Sequence, residues 1–234
     1  MSGTLFLIPA PLGDENIAWL PEGERAKIAH ISHFVVEAEK TARKHLKALG
    51  VTTPIRELSM GTLNEHTKEA DVAALLAPLK AGHDVGLISE AGCPAVADPG
   101  AQLVALAHKH SIRVEPLIGP SSILLALMAS GANGQCFAFH GYLPVDVAEK
   151  AKQVKELEQR SRKHNETQLF IETPYRNNAL LQQLRETLAP STRLAVACDL
   201  TLPTQTIVSH RVQDWPQNPP DLHKRPAIFV IHAA

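Results

Sequence analysis

The apolar positions of this chain gather into seven short runs, over residues 5–8, 34–36, 85–88, 137–139, 169–171, 194–197 and 227–231. Each run is continuous rather than alternating, the mark of strands covered on both faces. Between the runs apolar residues recur at three and four positions, which predicts helices over 41–49, 72–79, 101–110, 123–128, 147–163 and 179–188. Strand alternating with helix predicts an α/β protein with mainly parallel sheets. Residues 118–135 open on the Gly119-Pro120 turn and close on small, flexible residues. The chain is therefore expected to divide there, into an α/β domain over 1–116 and a second over 117–234. The proline-rich stretch 214–226 reads as an exposed connection before the last strand.

Composition narrows the classes. With 23 basic against 24 acidic residues the formal charge is -1, so no overall basic field marks a polyanion binder. Cys93, Cys136 and Cys198 are far apart and form no CxxC pair, which fits a reducing, cytoplasmic setting better than a disulfide framework or a zinc cluster. The closest histidine pairs, His30 with His33 and His108 with His110, lack i,i+4 spacing, and no metal is expected. No apolar run approaches the roughly 18 residues of a membrane span. The first run has no basic lead-in and soon meets Pro9, so no secretory leader is expected either.

Ligands of open α/β sheets bind beyond the carboxyl ends of the strands, so the loops after the apolar runs carry the chemistry. Residues 9–14 follow the first run; Pro9 and Pro11 stiffen them and Gly13 permits close approach. Residues 89–100 form a loop dense in small residues, longer than a compact unit needs for connection alone, and so expected to be functional. Ser121 and Ser122 follow Gly119-Pro120, where a hydroxyl or amide can cap a helix or face a ligand. Glu172, Tyr175 and Arg176 gather after the run at 169–171. Neither GxGxxG after a strand nor GxxxxGK[ST] occurs, so the ligand is not expected to be held by a phosphate cradle. GxSxG and HExxH are also absent.

Five segments in order, LISEAGCPAVADPG, GPSSILLALMASG, FAFHGYLP, FIETPYRN and ACDLT, resemble the tetrapyrrole methylase superfamily, and within it the ribosomal RNA small-subunit (cytidine-2'-O-)-methyltransferase branch. The likeness runs over nearly the whole chain. It implies a two-domain α/β fold, usually a homodimer, with S-adenosylmethionine bound in the cleft between the domains. It also implies cofactor contacts from Pro11, Gly92, Cys93, Pro94, Val96, Ser121 and Ser122, with Glu172 or Thr173 and Leu200 from the second domain. A cleft lined largely by backbone suits adenine and methionine moieties, and carbonyl oxygens favour a sulfonium charge.

The chain departs from that branch in two places. Where the branch carries Glu-Asp-Thr-Arg after the second strand, this chain reads Glu39-Lys40-Thr41-Ala42-Arg43. It also reads to Ala234 without the C-terminal extension of the RNA enzymes, so a shorter paralog is expected. Three acceptors stay open: a ribose 2'-hydroxyl of ribosomal RNA in the small ribosomal subunit, a small tetrapyrrole-like molecule, or none, in a noncatalytic cofactor-binding paralog. A ribose hydroxyl is a weak nucleophile and benefits from a general base. Glu39, Glu65 and His66 are the expected candidates, with Glu90 beside them, and Lys40, Arg43 and Arg176 are placed to meet phosphates if RNA is the substrate.

Overall fold

A computed structural model describes residues 2–13 and 19–233; Asp14, at the end of the first expected loop, lies outside the described residues. The chain folds as two compact units, Met1–Ser121 and Ser122–Ala234. The division falls a few residues beyond the expected one at 116. The Leu117 N–H donates to the Leu7 carbonyl at 3.0 Å, and Gly119 lies so close to Pro9 that a Cβ there would fall 2.6 Å from Pro9 Cγ. Residues 117–121 thus complete the first unit.

In the first unit β1 (Thr4–Ile8), β2 (His33–Val36), β3 (Ser59–Thr62), β4 (Val85–Ile88) and β5 (Arg113–Pro116) form an all-parallel sheet in the order β3-β2-β4-β1-β5. Both faces are covered, which is why the central strands read as unbroken apolar runs. Phe6 and Ile8 pack with Phe34, with Ile28 of α1 (Glu22–Ile28) and with Leu46 of α2 (Glu39–Leu49). Leu5 faces the other way, onto Val72 of α3 (Glu69–Ala74), Leu79 of α4 (Ala77–Lys80) and Leu103 of α5 (Ala101–Lys109). The single helix expected over 72–79 is two helices, because Pro78 lies in the first turn of α4 and cannot continue a helix from before it. The edge strand β3 is half exposed and carries no apolar run, so the pattern gives no sign of it.

The second unit contains α6 (Ser122–Ser130), β6 (Phe137–Tyr142), α7 (Val147–His164), β7 (Thr167–Ile171), α8 (Asn177–Thr187), β8 (Arg193–Cys198), β9 (Thr206–Arg211) and β10 (Ala227–His232). Its sheet order is β6-β7-β10-β8-β9. Here the expectation of a mainly parallel sheet is corrected: only β6 and β7 run parallel, and β7-β10, β10-β8 and β8-β9 are antiparallel. Residues 199–205 between β8 and β9 are too few for a parallel crossover, which takes roughly a dozen or more. Phe170 and Phe229 stack at 6.1 Å between neighbouring strands, over a core shared with Val154 of α7 and Leu180, Leu181 and Leu184 of α8. The proline-rich stretch is not wholly exposed, since Trp215 and Leu222 are buried in that core and Trp215 Nε1 donates to the Leu194 carbonyl at 3.0 Å. Asp146 caps α7, its Oδ1 accepting the Ala148 and Glu149 amides at 2.9 Å each, and Asn165 ends it in the left-handed conformation.

Candidate active site

Parallel strands deliver all their carboxyl ends to one edge. In the first unit β4, β1 and β5 are adjacent, so the loops after Ile88, Ile8 and Pro116 emerge side by side. The first two are stitched together: the Ala10 N–H donates to the Gly92 carbonyl at 2.8 Å and the Gly92 N–H returns to Ala10 at 3.1 Å. The Ser89 hydroxyl lies 3.3 Å from the same Gly92 carbonyl. Trp19 Nε1 donates to the Pro9 carbonyl at 2.8 Å, and the Cys93 thiol donates to the Pro120 carbonyl at 3.4 Å. The Cys93 side chain is also hydrogen-bonded to Ser121. From α2, buried His45 donates to the Glu90 carbonyl at 3.3 Å, supporting the β4 loop from beneath.

That loop carries backbone strain. Gly92 (φ 70°), Ala95 (φ 66°) and Ala97 (φ 57°) all lie in the left-handed region, two of them without glycine's freedom. Asp98 holds the turn, its Oδ1 accepting the Gly100 amide at 2.8 Å. Such conformations persist where surrounding structure over-determines them, and they cluster at ligand sites. Val96 is left about half exposed at 49%, although it is apolar. Burial pushes the Cys93 thiol up, against the opposite pull of the Ser121 hydrogen bond, so the thiol stays protonated near neutral pH.

The sequence-expected residues fall into distinct groups. Pro11, Gly92, Cys93, Pro94, Val96 and Ser121 come together on these stitched loops. Ser122 is the first residue of α6 in the second unit. The Glu172 carboxylate is not available to a ligand: its side chain is 1% exposed, bound to Lys150 Nζ at 3.1 Å, Arg176 Nη2 at 2.7 Å and the Thr173 amide at 2.7 Å. Burial alone would push its pKa up, but these partners outweigh it and hold it below the ordinary carboxylate value. Leu200 sits between Asp199 (φ 50°) and Thr201 (φ 73°), a turn pinned by Arg225 Nε on Asp199 Oδ2 at 2.7 Å.

The expected bases lie in the open. Glu39 pairs with Arg43 at 2.5 Å on the solvent side of α2. Glu65 and His66, 3.5 Å apart and each 84% exposed, sit on a turn in which Asn64 Oδ1 accepts the His66 amide.

Glu37 is the residue the sequence reading passed over. It stands directly after β2, next to β4 in the sheet, and is half-buried. Its carboxylate accepts the Glu90 N–H. Burial pushes its pKa up, the charges of Asp98, Glu90 and Glu65 add to that, and the Glu90 amide opposes them, leaving it above the ordinary value. A carboxylate whose pKa is raised at the carboxyl edge of a parallel sheet is a better proton acceptor than an ordinary one. The signal was present, because Glu37 is the first residue after the apolar run at 34–36.

A parallel sheet covered on both faces, with strained loops gathered at its carboxyl edge and no phosphate-binding glycine signature, has the architecture of an α/β enzyme whose ligands bind beyond the strand ends. The profile of the family described as Tetrapyrrole (Corrin/Porphyrin) Methylases matches residues 10–215, and the chain belongs to that family. It is an S-adenosylmethionine-dependent methyltransferase. It is similar to the protein of Pseudomonas aeruginosa named ribosomal RNA small subunit methyltransferase I, 28% identical over 218 residues that cover 92% of this chain and 73% of the relative. The protein of that name from Vibrio cholerae is 26% identical over 231 residues, covering 97% and 76%. Among solved structures, that of the methyltransferase CobJ matches with a TM-score of 0.63 at 19% identity, covering 98% of this chain and 94% of the other, a likeness of fold. Among the described residues no group of three or more His, Cys, Asp and Glu is arranged to hold a metal, and no helix is long and apolar enough to cross a membrane.

Proposed function

We propose that this methyltransferase modifies small-subunit ribosomal RNA at a ribose 2'-hydroxyl, with Glu37 as general base. The observation that carries this reading is Glu37 itself, a half-buried carboxylate with a raised pKa, hydrogen-bonded to the loop that the cofactor is proposed to occupy. The naming of the relatives supports the RNA acceptor.

Bound S-adenosylmethionine supplies an electrophilic methyl group on a sulfonium. The residues present fit such a group. The left-handed turns at Gly92, Ala95 and Ala97 shape a loop of small residues, and the Ala10–Gly92 hydrogen bonds and Asp98 hold it in place. The protonated Cys93 offers no thiolate to compete for the methyl group. We assign cofactor contacts to Pro11, Gly92, Cys93, Pro94, Val96 and Ser121, which share the loops at the carboxyl edge of the first sheet. Glu37 accepts the proton of the acceptor hydroxyl, and the Glu90 N–H keeps its carboxylate pointed at the loop. Held alignment of the acceptor supplies the larger part of the rate, about 7 to 11 kcal/mol in well-oriented systems. Glu65 acts through its charge on Glu37, while Glu39 and His66 face solvent. The working assembly is a homodimer in the cytoplasm, a setting that the unbridged Cys93, Cys136 and Cys198 suit.

The test is transfer of label from methyl-labelled S-adenosylmethionine into small ribosomal subunits whose RNA has not been methylated. The expected product is label in an RNA linkage that resists alkali, because a 2'-O-methyl group removes the internal nucleophile of alkaline cleavage. Label only in a small-molecule fraction, or in neither, overturns the reading.

A further inference from the structure

The second unit carries a surface that neither its core nor the proposed chemistry uses. The parallel strands β6 and β7 end side by side, Tyr142 opposite Ile171, after a register shift in β6. Gly141 takes φ 63° there, and Tyr142 is left 61% exposed. Beyond β7 comes Tyr175, 69% exposed, followed by Arg176, which spends one nitrogen on Glu172 and keeps 44% of its side chain in solvent near Tyr142. Segment 221–225 is fastened against this edge. The Lys224 N–H donates to the Pro174 carbonyl at 3.0 Å, Asn177 Nδ2 to the Arg225 carbonyl at 2.7 Å, and the Leu222 N–H to Asn178 Oδ1 at 2.8 Å. Within it Lys224 adopts φ 58°, in the left-handed region, and its ammonium stands 5.8 Å from the centroid of the Tyr175 ring. The His223 ring meets the same tyrosine edge-on at 6.0 Å.

Two exposed phenols, a half-free guanidinium, an ammonium and an imidazole therefore share one edge on a fixed scaffold. The carboxylates nearby are already matched: Glu172 by Lys150 and Arg176, and Asp221 by the Asn178 side chain and the His223 amide. What faces solvent is aromatic and cationic. A tyrosine this exposed adds little to the core, and strained backbone held in place by neighbours is a feature of binding sites. Flat faces flanked by cations are what unpaired nucleobases and their phosphates require.

We infer that Tyr175, Lys224 and Arg176, with Tyr142 beside them, form a docking platform for single-stranded RNA: a base stacks on Tyr175 and the adjoining phosphates meet Lys224 and Arg176. This rests on the RNA-acceptor reading above and gives it a second point of grip, on the second unit.

Binding of the intact protein to a fluorescein-labelled single-stranded fragment of small-subunit ribosomal RNA, followed by anisotropy, tests it. Tyr175→Ala is expected to weaken binding about tenfold, while Tyr175→Phe, which keeps the stacking face, stays close to wild type. Lys224→Ala is expected to weaken binding several-fold and to reduce the salt slope by about one. Thermal midpoint and S-adenosylmethionine affinity stay at wild-type values in all three, which separates lost RNA contact from lost fold. If the wild-type protein neither binds RNA nor labels small subunits, the RNA-acceptor reading fails and this inference falls with it. If the wild type binds and labels RNA while Tyr175→Ala and Lys224→Ala do so equally well, the platform alone is overturned. It is also overturned if duplex RNA binds as tightly as single strands, or if the variants lose binding only to anionic vesicles.

Discussion

Ala10 and Gly92 exchange backbone hydrogen bonds at 2.8 and 3.1 Å, so loops that leave β1 and β4 more than eighty residues apart in sequence move as one piece. The exchange depends on Gly92 holding φ 70°. Gly92→Ala leaves room for the methyl group, whose nearest neighbour is Leu12 Cδ2 at 3.4 Å, but puts an L side chain in the left-handed region. The expected cost is about 1–2 kcal/mol of stability. A larger loss is expected in cofactor affinity, at least about tenfold, because relaxation of this turn redirects Cys93 and Pro94. Thermal unfolding and titration calorimetry with S-adenosylmethionine measure the two effects; unchanged affinity in a destabilised variant would remove this turn from the binding site.

Glu37 sets stability against activity. Its pKa is raised in the folded state, so the fold carries no penalty from it below the unfolded value near 4.5 and loses stability as pH rises through the folded value. Glu37→Gln keeps an acceptor for the Glu90 amide and cannot ionise. The variant is therefore expected to melt higher than wild type at pH 7, with the gap closing towards pH 4. Methyl transfer should fall by about 10²- to 10⁴-fold, the usual weight of a general base. Glu39→Gln, on the exposed pair with Arg43, should do neither. A Glu37→Gln enzyme with full activity would dismiss this base.

The two sheets were not equally legible, and the reason is where each strand lies. Strands β1, β2 and β4 are central, covered on both faces, and therefore apolar without interruption. Strands β3 and β9 lie at sheet edges with half-exposed residues, and nothing in SMGT or TIVSHR separates them from loop. Antiparallel pairing in the second unit was hidden because β10 is buried on both faces and so reads like a parallel core strand. The loops at the carboxyl edge were legible from their small residues and prolines. The proposed base was obscured by counting within one segment: Glu37 and Glu39 differ by two positions, yet one directly follows a strand at the carboxyl edge of the sheet and the other opens a helix towards solvent.

Lys150 of α7 reaches Glu172 with its side chain 7% exposed and that of its partner 1% exposed. Removing one member of a buried pair leaves a charge without its match, at a cost of about 3–5 kcal/mol. Lys150→Met should fall at the low end of that range, because Arg176 and the Thr173 amide continue to hold Glu172. Adding Glu172→Gln to Lys150→Met should recover part of the loss, since no buried carboxylate is then left short of partners. A double-mutant cycle in denaturant reads this coupling directly. Simple additivity of the two changes would mean that the pair does not interact in solution.

Acid response in the second unit is expected to centre on Glu166. Arg160 grips its carboxylate with Nε at 2.6 Å and Nη2 at 3.1 Å, Gln168 adds a bond at 2.9 Å, and together they lower its pKa to about 2. The unfolded chain holds the same group near 4.5, so its contribution to stability is complete above that value and disappears as pH falls towards 2. Arg160→Ala removes the largest cause of the shift. In the variant the Glu166 titration, followed by carboxyl NMR, should move up towards 4.5, and the acid-unfolding midpoint should move to higher pH. Thr167 and Gln168 of β7 stay buried in the same strand, so a change in their amide resonances between pH 5 and 3, in the variant but not in wild type, would report the same loss at the backbone. If Glu166 titrates near 4.5 in the wild-type protein, the fork from Arg160 is not formed in solution.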